Sequence, residues 1–193
     1  MKNFDIIFKN GKTVTENGVE DCDIAIADGK IREIGEINAN AKLVEDVSNL
    51  LVLPGGIDAH VHIDQPSGPD VEMADNFQSA PKSAAAGGPT TVLPFAMQEK
   101  GQSLRECVES YHKKANGNLF VDTSFHLIIS DPSPQVLGQE LPALARNGYT
   151  SFKVFMTYDD LVLNDEELLK VFEVAKNEKT LVMVHAEGYD AIR

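Results

Sequence analysis

Two histidines, His60 and His62, lie two residues apart in a segment whose composition predicts a β-strand. An apolar run at residues 50–53 ends in Pro-Gly-Gly, and a strand-like pattern then restarts. Because side chains alternate along a strand, both imidazoles project from one face, with their Cα atoms about 6.6 Å apart. Such a pair can bind one metal ion. An isolated His-x-His pair can also be structural, with one histidine capping a strand and the other hydrogen-bonding in a loop.

Two more candidate ligands lie at the ends of later predicted strands. Lys153 lies in the run SFKVFM at residues 151–156, and His185 follows the apolar run at residues 181–184. Each has an ordinary interpretation, because a lysine can reach solvent from a rim and a histidine can be a satisfied core residue. Four such residues at matching strand ends favour a shared site.

The elements that must position these residues change character at Pro54. Residues 4–53 follow an antiparallel β pattern, in which Asn10-Gly11 and Asp28-Gly29 predict two hairpins. Strands and helices alternate after Pro54, with predicted strands at 57–63, 90–95, 119–129, 150–156 and 180–185, and helices at 77–86, 103–115, 135–146 and 165–177. Units of about 30 residues imply an α/β fold with parallel strands. In a (β/α) barrel the active site lies at the carboxyl ends of those strands.

Composition excludes several other classes of protein. A chain of 193 residues with 42% hydrophobic content is typical of a globular protein, and a net charge of −13 disfavours nucleic acid and anionic membranes as partners. The start of the chain has no signal-type apolar region, and no apolar run approaches membrane-spanning length. Cys22 and Cys107 are expected to be reduced, which favours a cytoplasmic location.

Three segments carry a family resemblance: PGGIDAHVH at residues 54–62, GYTSFKVFMTY at 148–158 and VHAE at 184–187. In combination they resemble the D-hydantoinase/dihydropyrimidinase family of the amidohydrolase superfamily. The tyrosine five residues after the lysine favours cyclic-imide hydrolases over dihydroorotases and deaminases. The resemblance implies a TIM (β/α) barrel of the metal-dependent hydrolase type, incomplete in this chain, over residues 54–193. Part of a small β-sandwich is implied over residues 1–53.

The resemblance also implies a metal site. His60 and His62 would bind one divalent ion and His185 a second, and zinc is the expected metal. Lys153, carboxylated by carbon dioxide to a carbamate, would bridge the two ions. Only a neutral amine reacts with carbon dioxide, and roughly 0.04% of a solvated lysine is neutral at pH 7. Burial among apolar neighbours would raise that fraction.

Two aromatic residues complete the implied site. Tyr158 would be catalytic and would bind substrate, donating a hydrogen bond to the developing oxyanion. Phe155 would bind the substituent on the substrate ring, together with Phe95 and Met97. Ordinary packing is the alternative for each of them, with Tyr158 as an aromatic residue at the rim and Phe155 in the core.

The predicted function is the opening of a cyclic amide, a dihydropyrimidine or a 5-substituted hydantoin, to an N-carbamoyl amino acid. A hydroxide between the two metals would be the nucleophile. The alternatives are a non-catalytic dihydropyrimidinase-like scaffold and an allantoinase-like hydrolase. Retention of all four ligands expected in this span favours an enzyme. The full-length protein is expected to be a homo-oligomer, a tetramer, and to act on a small molecule.

The chain departs from the family in two respects. Pro89 stands where such enzymes usually have threonine, which is tolerable at the first residue of a strand. The family's chains are also more than twice this long, and a TIM barrel alone takes about 250 residues. The resemblance expects another metal-binding histidine on a sixth strand and an aspartate on an eighth, which would be both ligand and general base. Neither can be assigned here, so the isolated chain is expected to be inactive.

Overall fold

The computed structural model describes residues 3–68 and 70–192 and shows two compact units, one ending at Gly55 and one beginning at Gly56. The first unit contains seven strands: β1 (Asn3–Lys9), β2 (Lys12–Thr15), β3 (Gly18–Asp21), β4 (Asp23–Ala27), β5 (Lys30–Gly35), β6 (Asn40–Asp46) and β7 (Leu51–Val52). They form two sheets, with strand orders β5-β4-β1-β6 and β3-β2-β7. A small apolar core forms around Phe4, Ile7, Ala25 and Ile37.

The two predicted hairpins of this unit have different outcomes. β4 and β5 pair antiparallel across Asp28 and Gly29, whose φ angles of 54° and 67° suit a tight hairpin turn, so this prediction is confirmed. The hairpin predicted at Asn10-Gly11 is wrong. β1 pairs with β4 and β6, whereas β2 pairs with β3 and β7, so Asn10-Gly11 carries the chain from one sheet to the other.

The second unit is a parallel sheet with helical connections. Its strands are β8 (Gly56–Val61), β9 (Pro89–Met97), β10 (Asp122–Thr123), β11 (His126–Ile128), β12 (Ser151–Phe155) and β13 (Leu181–His185). Its helices are α1 (Ser79–Gly87), α2 (Leu104–Ala115), α3 (Leu141–Arg146), α4 (Asp165–Glu178) and α5 (Tyr189–Ile192), with a π-helix over Val136–Glu140 directly before α3. Across the described residues, no helix has the length and apolar character needed to cross a membrane.

The pairing order of the second sheet follows the chain. β8 pairs with β9, β9 with β10 and β11, β11 with β12, and β12 with β13, and every pair is parallel. β10 and β11 are two parts of the single strand predicted at residues 119–129. Five successive βα units in this order form the first part of a TIM (β/α) barrel, which is incomplete in this chain, and the predicted fold class is confirmed.

Alternation along the strands gives the sheet two distinct faces. Phe152 and Val154 belong to the large core that the sheet forms with the helices. The residues between and after them, Lys153 and Phe155, point the other way. That second face has its own apolar cluster, centred on Phe95, Ile128 and Phe155. The predicted site residues of β12 therefore lie on the face opposite the helices.

Candidate functional site

Two predicted ligands, His60 and His62, lie together at the carboxyl end of β8. Their ring centroids are 5.4 Å apart, and both rings pack on Phe95 of β9, at 4.7 Å and 5.0 Å. His62 follows the last residue of β8 and is held by a hydrogen bond between its Nδ1 and the side chain of Gln65. Gln65 in turn donates to the Phe95 carbonyl, at 3.3 Å. Because Nδ1 is engaged, Nε2 is the His62 nitrogen available to a metal ion.

Lys153 lies near the two histidines and is almost completely buried, with 8% of its surface exposed. Its Nζ is 6.0 Å from the Phe95 ring centroid and 5.1 Å from that of Phe155. Burial lowers the pKa of the Lys153 ammonium below its ordinary value. The pKa of the His60 imidazole is also lowered, first by loss of solvent and then by the charges of Lys153 and His62. Both side chains are thereby shifted toward their neutral forms.

His185, Tyr158 and Phe155 form a second group at the carboxyl ends of β12 and β13. The His185 ring stacks on Phe155 at 5.4 Å and lies 5.1 Å from the ring of Tyr158. Its Nε2 is 3.1 Å from a carboxylate oxygen of Glu187. Tyr158 is 49% exposed and has a φ of 69°, a left-handed conformation that is uncommon for a bulky residue. Its carbonyl accepts hydrogen bonds from the amides of residues 161 and 162, which fixes this turn.

A cavity of about 650 Å³ opens beside Tyr158. It is lined in part by Met97, Tyr158, Leu161 and Tyr189. Met97, predicted as a pocket residue, is therefore at a cavity wall. Phe155 is buried in the apolar cluster that it forms with Phe95 and Ile128. Its predicted contact with substrate stays a prediction.

The donor set around Phe95 fits a metal ion in two respects. Imidazoles that share a tetrahedral ion at Zn–N distances of about 2.0–2.1 Å have ring centroids about 5 Å apart, which is close to the separation of His60 and His62. A buried lysine beside them could become an anionic oxygen ligand on reaction with carbon dioxide. Within residues 3–68 and 70–192, however, no three His, Cys, Asp or Glu side chains gather as a metal-binding group. A metal centre at this place would therefore need Lys153 as a ligand in addition to the histidines.

His126 and Gln65 are two residues of this region that sequence reasoning missed. His126 is buried on β11, and its ring lies 4.9 Å from that of Phe95. Its hydrogen-bond partners, Ala59 and Ser151, are 67 and 25 residues away in sequence. No local spacing could have indicated those contacts. Gln65 lies only three residues from His62, but it belongs to a loop without a periodic pattern.

Parallel strands with histidines and a buried lysine at their carboxyl ends define a (β/α)-barrel protein with a polar site at the usual end of the barrel. The sequence pattern of the amidohydrolase family matches residues 51–193. The chain belongs to the amidohydrolase family. The more specific resemblance to D-hydantoinases and dihydropyrimidinases is confirmed by individual relatives.

The D-hydantoinase of Rhizobium radiobacter is 43% identical over 188 residues, which cover 97% of this chain and 41% of that protein. The dihydropyrimidinase of Rattus norvegicus is 32% identical over 195 residues, covering 97% of this chain and 37% of that protein. A solved D-hydantoinase structure superposes with a TM-score of 0.92 at 42% identity, covering 97% of this chain and 41% of the other. The chain thus spans about two fifths of the length of these relatives.

Proposed function

We propose that the protein carrying this chain is a metal-dependent hydrolase of cyclic amides. Its substrates would be dihydropyrimidines or 5-substituted hydantoins, and the product an N-carbamoyl amino acid. The observation that carries the proposal is the grouping of His60, His62 and buried Lys153 around Phe95, at the carboxyl ends of parallel strands. The similarity to proteins named D-hydantoinase and dihydropyrimidinase supports the substrate class.

Each polar residue of the site has a chemical role in this proposal. His60 and His62 would hold one divalent ion, and His185 would hold a second. Lys153 would join them as a carbamate, because its lowered pKa raises the fraction of neutral amine that can react with carbon dioxide. When bound, two zinc ions would polarise the ring carbonyl and activate the attacking water.

The residues around the ions would position the substrate. Tyr158 is exposed at the cavity edge, where its hydroxyl can donate a hydrogen bond to the oxygen that becomes negative in the transition state. Its backbone turn fixes the start of the segment that continues into Leu161, another cavity residue. Met97, at the end of β9, would contact the substituent on the substrate ring. Phe155 would support that pocket from the apolar cluster it forms with Phe95 and Ile128. Assembly as a homotetramer stays a prediction, and so does the cytoplasmic location that the cysteines favour.

The test uses the natural full-length protein. Elemental analysis should find close to two divalent ions per chain, zinc above others. Dihydrouracil, hydantoin and a 5-substituted hydantoin should be opened to their N-carbamoyl products, measured by chromatography. Allantoin, tested in parallel, identifies an allantoinase-like preference. Absence of bound metal in active protein would rule out the proposed mechanism, and bound metal without ring opening would favour the scaffold alternative.

A further inference from the structure

The Ala59–His60 peptide lies at an irregularity in the pairing of β8 with β9. Asp58 pairs with Val92, and the next registered pair is Val61 with Pro94. Three steps along β8 therefore match two along β9, which leaves one extra residue on β8, as in a β-bulge. Pro94 has no N–H group with which to complete the ladder. Strand pairing alone thus does little to fix the orientation of the Ala59–His60 peptide.

Side chains bind both polar atoms of that peptide instead. The His60 N–H donates to Oδ1 of Asp58 at 3.1 Å, and the Ala59 carbonyl lies 2.8 Å from Nε2 of His126. A carbonyl oxygen can only accept a hydrogen bond, so Nε2 of His126 carries a proton and is the donor. The two bonds act on opposite sides of one planar peptide unit and fix its orientation. The direction of the His60 side chain follows from that orientation.

His126 is itself held on both sides. It is 5% exposed, and its Nδ1 lies 2.5 Å from Oγ of Ser151. In the neutral ring, with the proton on Nε2, Nδ1 accepts from the Ser151 hydroxyl. Ser151 is the first residue of β12, two positions before Lys153. β9 and β11 separate β8 from β12 in the sheet, so one buried imidazole connects two strands that do not pair with each other.

We infer that Asp58 and His126 form a peptide clamp that aims the His60 imidazole at the metal site and holds the strand of His60 in position relative to that of Lys153. The inference rests on the proposed function, because the metal is what His60 would hold. Both are positioning residues, since they act on His60 through its backbone. A ligand fixed in this way binds without first having to be ordered, and outer partners of metal ligands typically contribute 10–100-fold in affinity.

The test compares variants of the metal-free full-length protein by zinc affinity, measured by competition with a chelator. His126→Phe keeps a ring but removes both hydrogen bonds, and should weaken zinc binding by about 10–100-fold. His126→Gln keeps an N–H donor and should recover part of that loss. Leu127→Val is the matched control, because Leu127 lies on the same strand but faces the core shared with the helices. It should lower the thermal midpoint without changing zinc affinity.

Asp58→Ala gives an independent measurement, because Asp58 is exposed and its truncation leaves no cavity in the core. It should also weaken zinc binding, and it decides the matter if His126→Phe does not fold. Affinity equal to that of the wild type in either folded variant would overturn the clamp. If the wild type retains no zinc, or if His60→Ala binds zinc normally, the proposed function fails together with the clamp. If only the clamp variants bind normally, the proposed function stands without it.

Discussion

Lys153 is a cationic side chain buried between two aromatic rings, without a carboxylate bonded to it in the described residues. Loss of solvent disfavours its charged form, so its burial needs a compensating role. If that role is to bridge metals as a carbamate, Lys153→Ala should lose both bound metal and hydrolysis, at least about 10²-fold in rate. Short carboxylic acids added to this variant should partly restore both by replacing the carbamate.

Lys153→Arg is the matched control for charge and length. A guanidinium stays cationic and is not carboxylated, so this variant should not recover metal or activity, with or without added acid. Metal content is measured by elemental analysis and ring opening by chromatography. Activity like that of the wild type in either variant would identify Lys153 as an ordinary strand residue.

Tyr158 should act on the reaction rate more than on stability. Tyr158 is 49% exposed and lines the cavity, and one donor to a developing oxyanion is typically worth 10²–10³ in kcat. Tyr158→Phe should therefore lower kcat by about that factor and leave the thermal midpoint nearly unchanged. Tyr149→Phe is the control, because the Tyr149 hydroxyl bonds to His112 on the helical side of the sheet. Equal kcat values for the two variants would remove Tyr158 from the mechanism.

At the residue scale, the sequence reveals ligands more readily than the residues that support them. His60 and His62 are recognisable because strand periodicity predicts both on one face, and both rings do pack on Phe95, although His62 follows the last residue of β8. His126 is not, since a histidine in an apolar strand has no distinguishing pattern. Its role comes from Ala59 and Ser151, which only the folded sheet brings near.

Glu140, the last residue of the π-helix, has a buried carboxylate that caps the start of helix α2. It is 3% exposed and accepts hydrogen bonds from the Ser103 hydroxyl at 2.9 Å, the Leu104 amide at 2.7 Å and the Gln135 side chain at 2.8 Å. Removing an acceptor from buried donors costs roughly 1–3 kcal/mol. Glu140→Ala should therefore destabilise the protein by about that amount, measured by urea denaturation. Glu109→Ala, an exposed site on α2, should change stability by less than about 0.5 kcal/mol.

The contribution of Glu140 should also depend on pH. Burial alone would raise the pKa of its carboxyl group, but hydrogen bonds from Gln135, Ser103 and two backbone amides outweigh burial and hold the pKa below its usual value. A carboxyl group with a lowered pKa in the folded state stabilises the protein above its unfolded pKa of about 4.3, and this stabilisation is lost as pH falls through the folded value. The difference in unfolding free energy between wild type and Glu140→Gln should thus shrink below about pH 4. A constant difference down to pH 3 would contradict the capping role.

At the element scale, local signals predict well and non-local ones do not. Asn164 and Glu167 are three residues apart, the spacing of a capping box, and they form a reciprocal capping box at the start of α4. Asn10-Gly11 has the composition of a hairpin turn, but the register of β1 is determined by β4 and β6 instead. The helix predicted at residues 135–146 begins as a π-helix ending at Glu140, whose carboxylate is directed to α2 by tertiary contacts that no spacing encodes.

At the scale of the whole molecule, the order of the parallel sheet determines which residues meet. Strands that pair in sequence order place their carboxyl ends along one edge, so His60, Lys153 and His185 lie on strands that end at the same edge although they are distant in the chain. This arrangement follows from the repeated βα pattern and was predictable. The sequence does not reveal what pairs with the outer edges of the two edge strands, β8 and β13. In the described residues β8 pairs only with β9, and β13 only with β12.

The 193-residue chain, expressed alone, should show no opening of dihydrouracil or hydantoin above background. It contains the residues proposed for the first metal, the bridge and one ligand of the second metal. It lacks the sixth-strand histidine and the eighth-strand aspartate that the resemblance expects. General acid–base catalysis is typically worth 10²–10⁴-fold, and an under-coordinated second metal would reduce the rate further.

The same chain should also be poorly stable or aggregated, because unpaired strand edges and exposed apolar residues such as Ile57 and Leu181 offer surfaces for association. Size-exclusion chromatography and the ring-opening assay, run beside a polypeptide long enough to carry the whole barrel, measure both expectations. The longer protein should be active and well dispersed. Turnover by the 193-residue chain at a comparable rate would mean either that the aspartate is not the general base, or that association of chains completes the site.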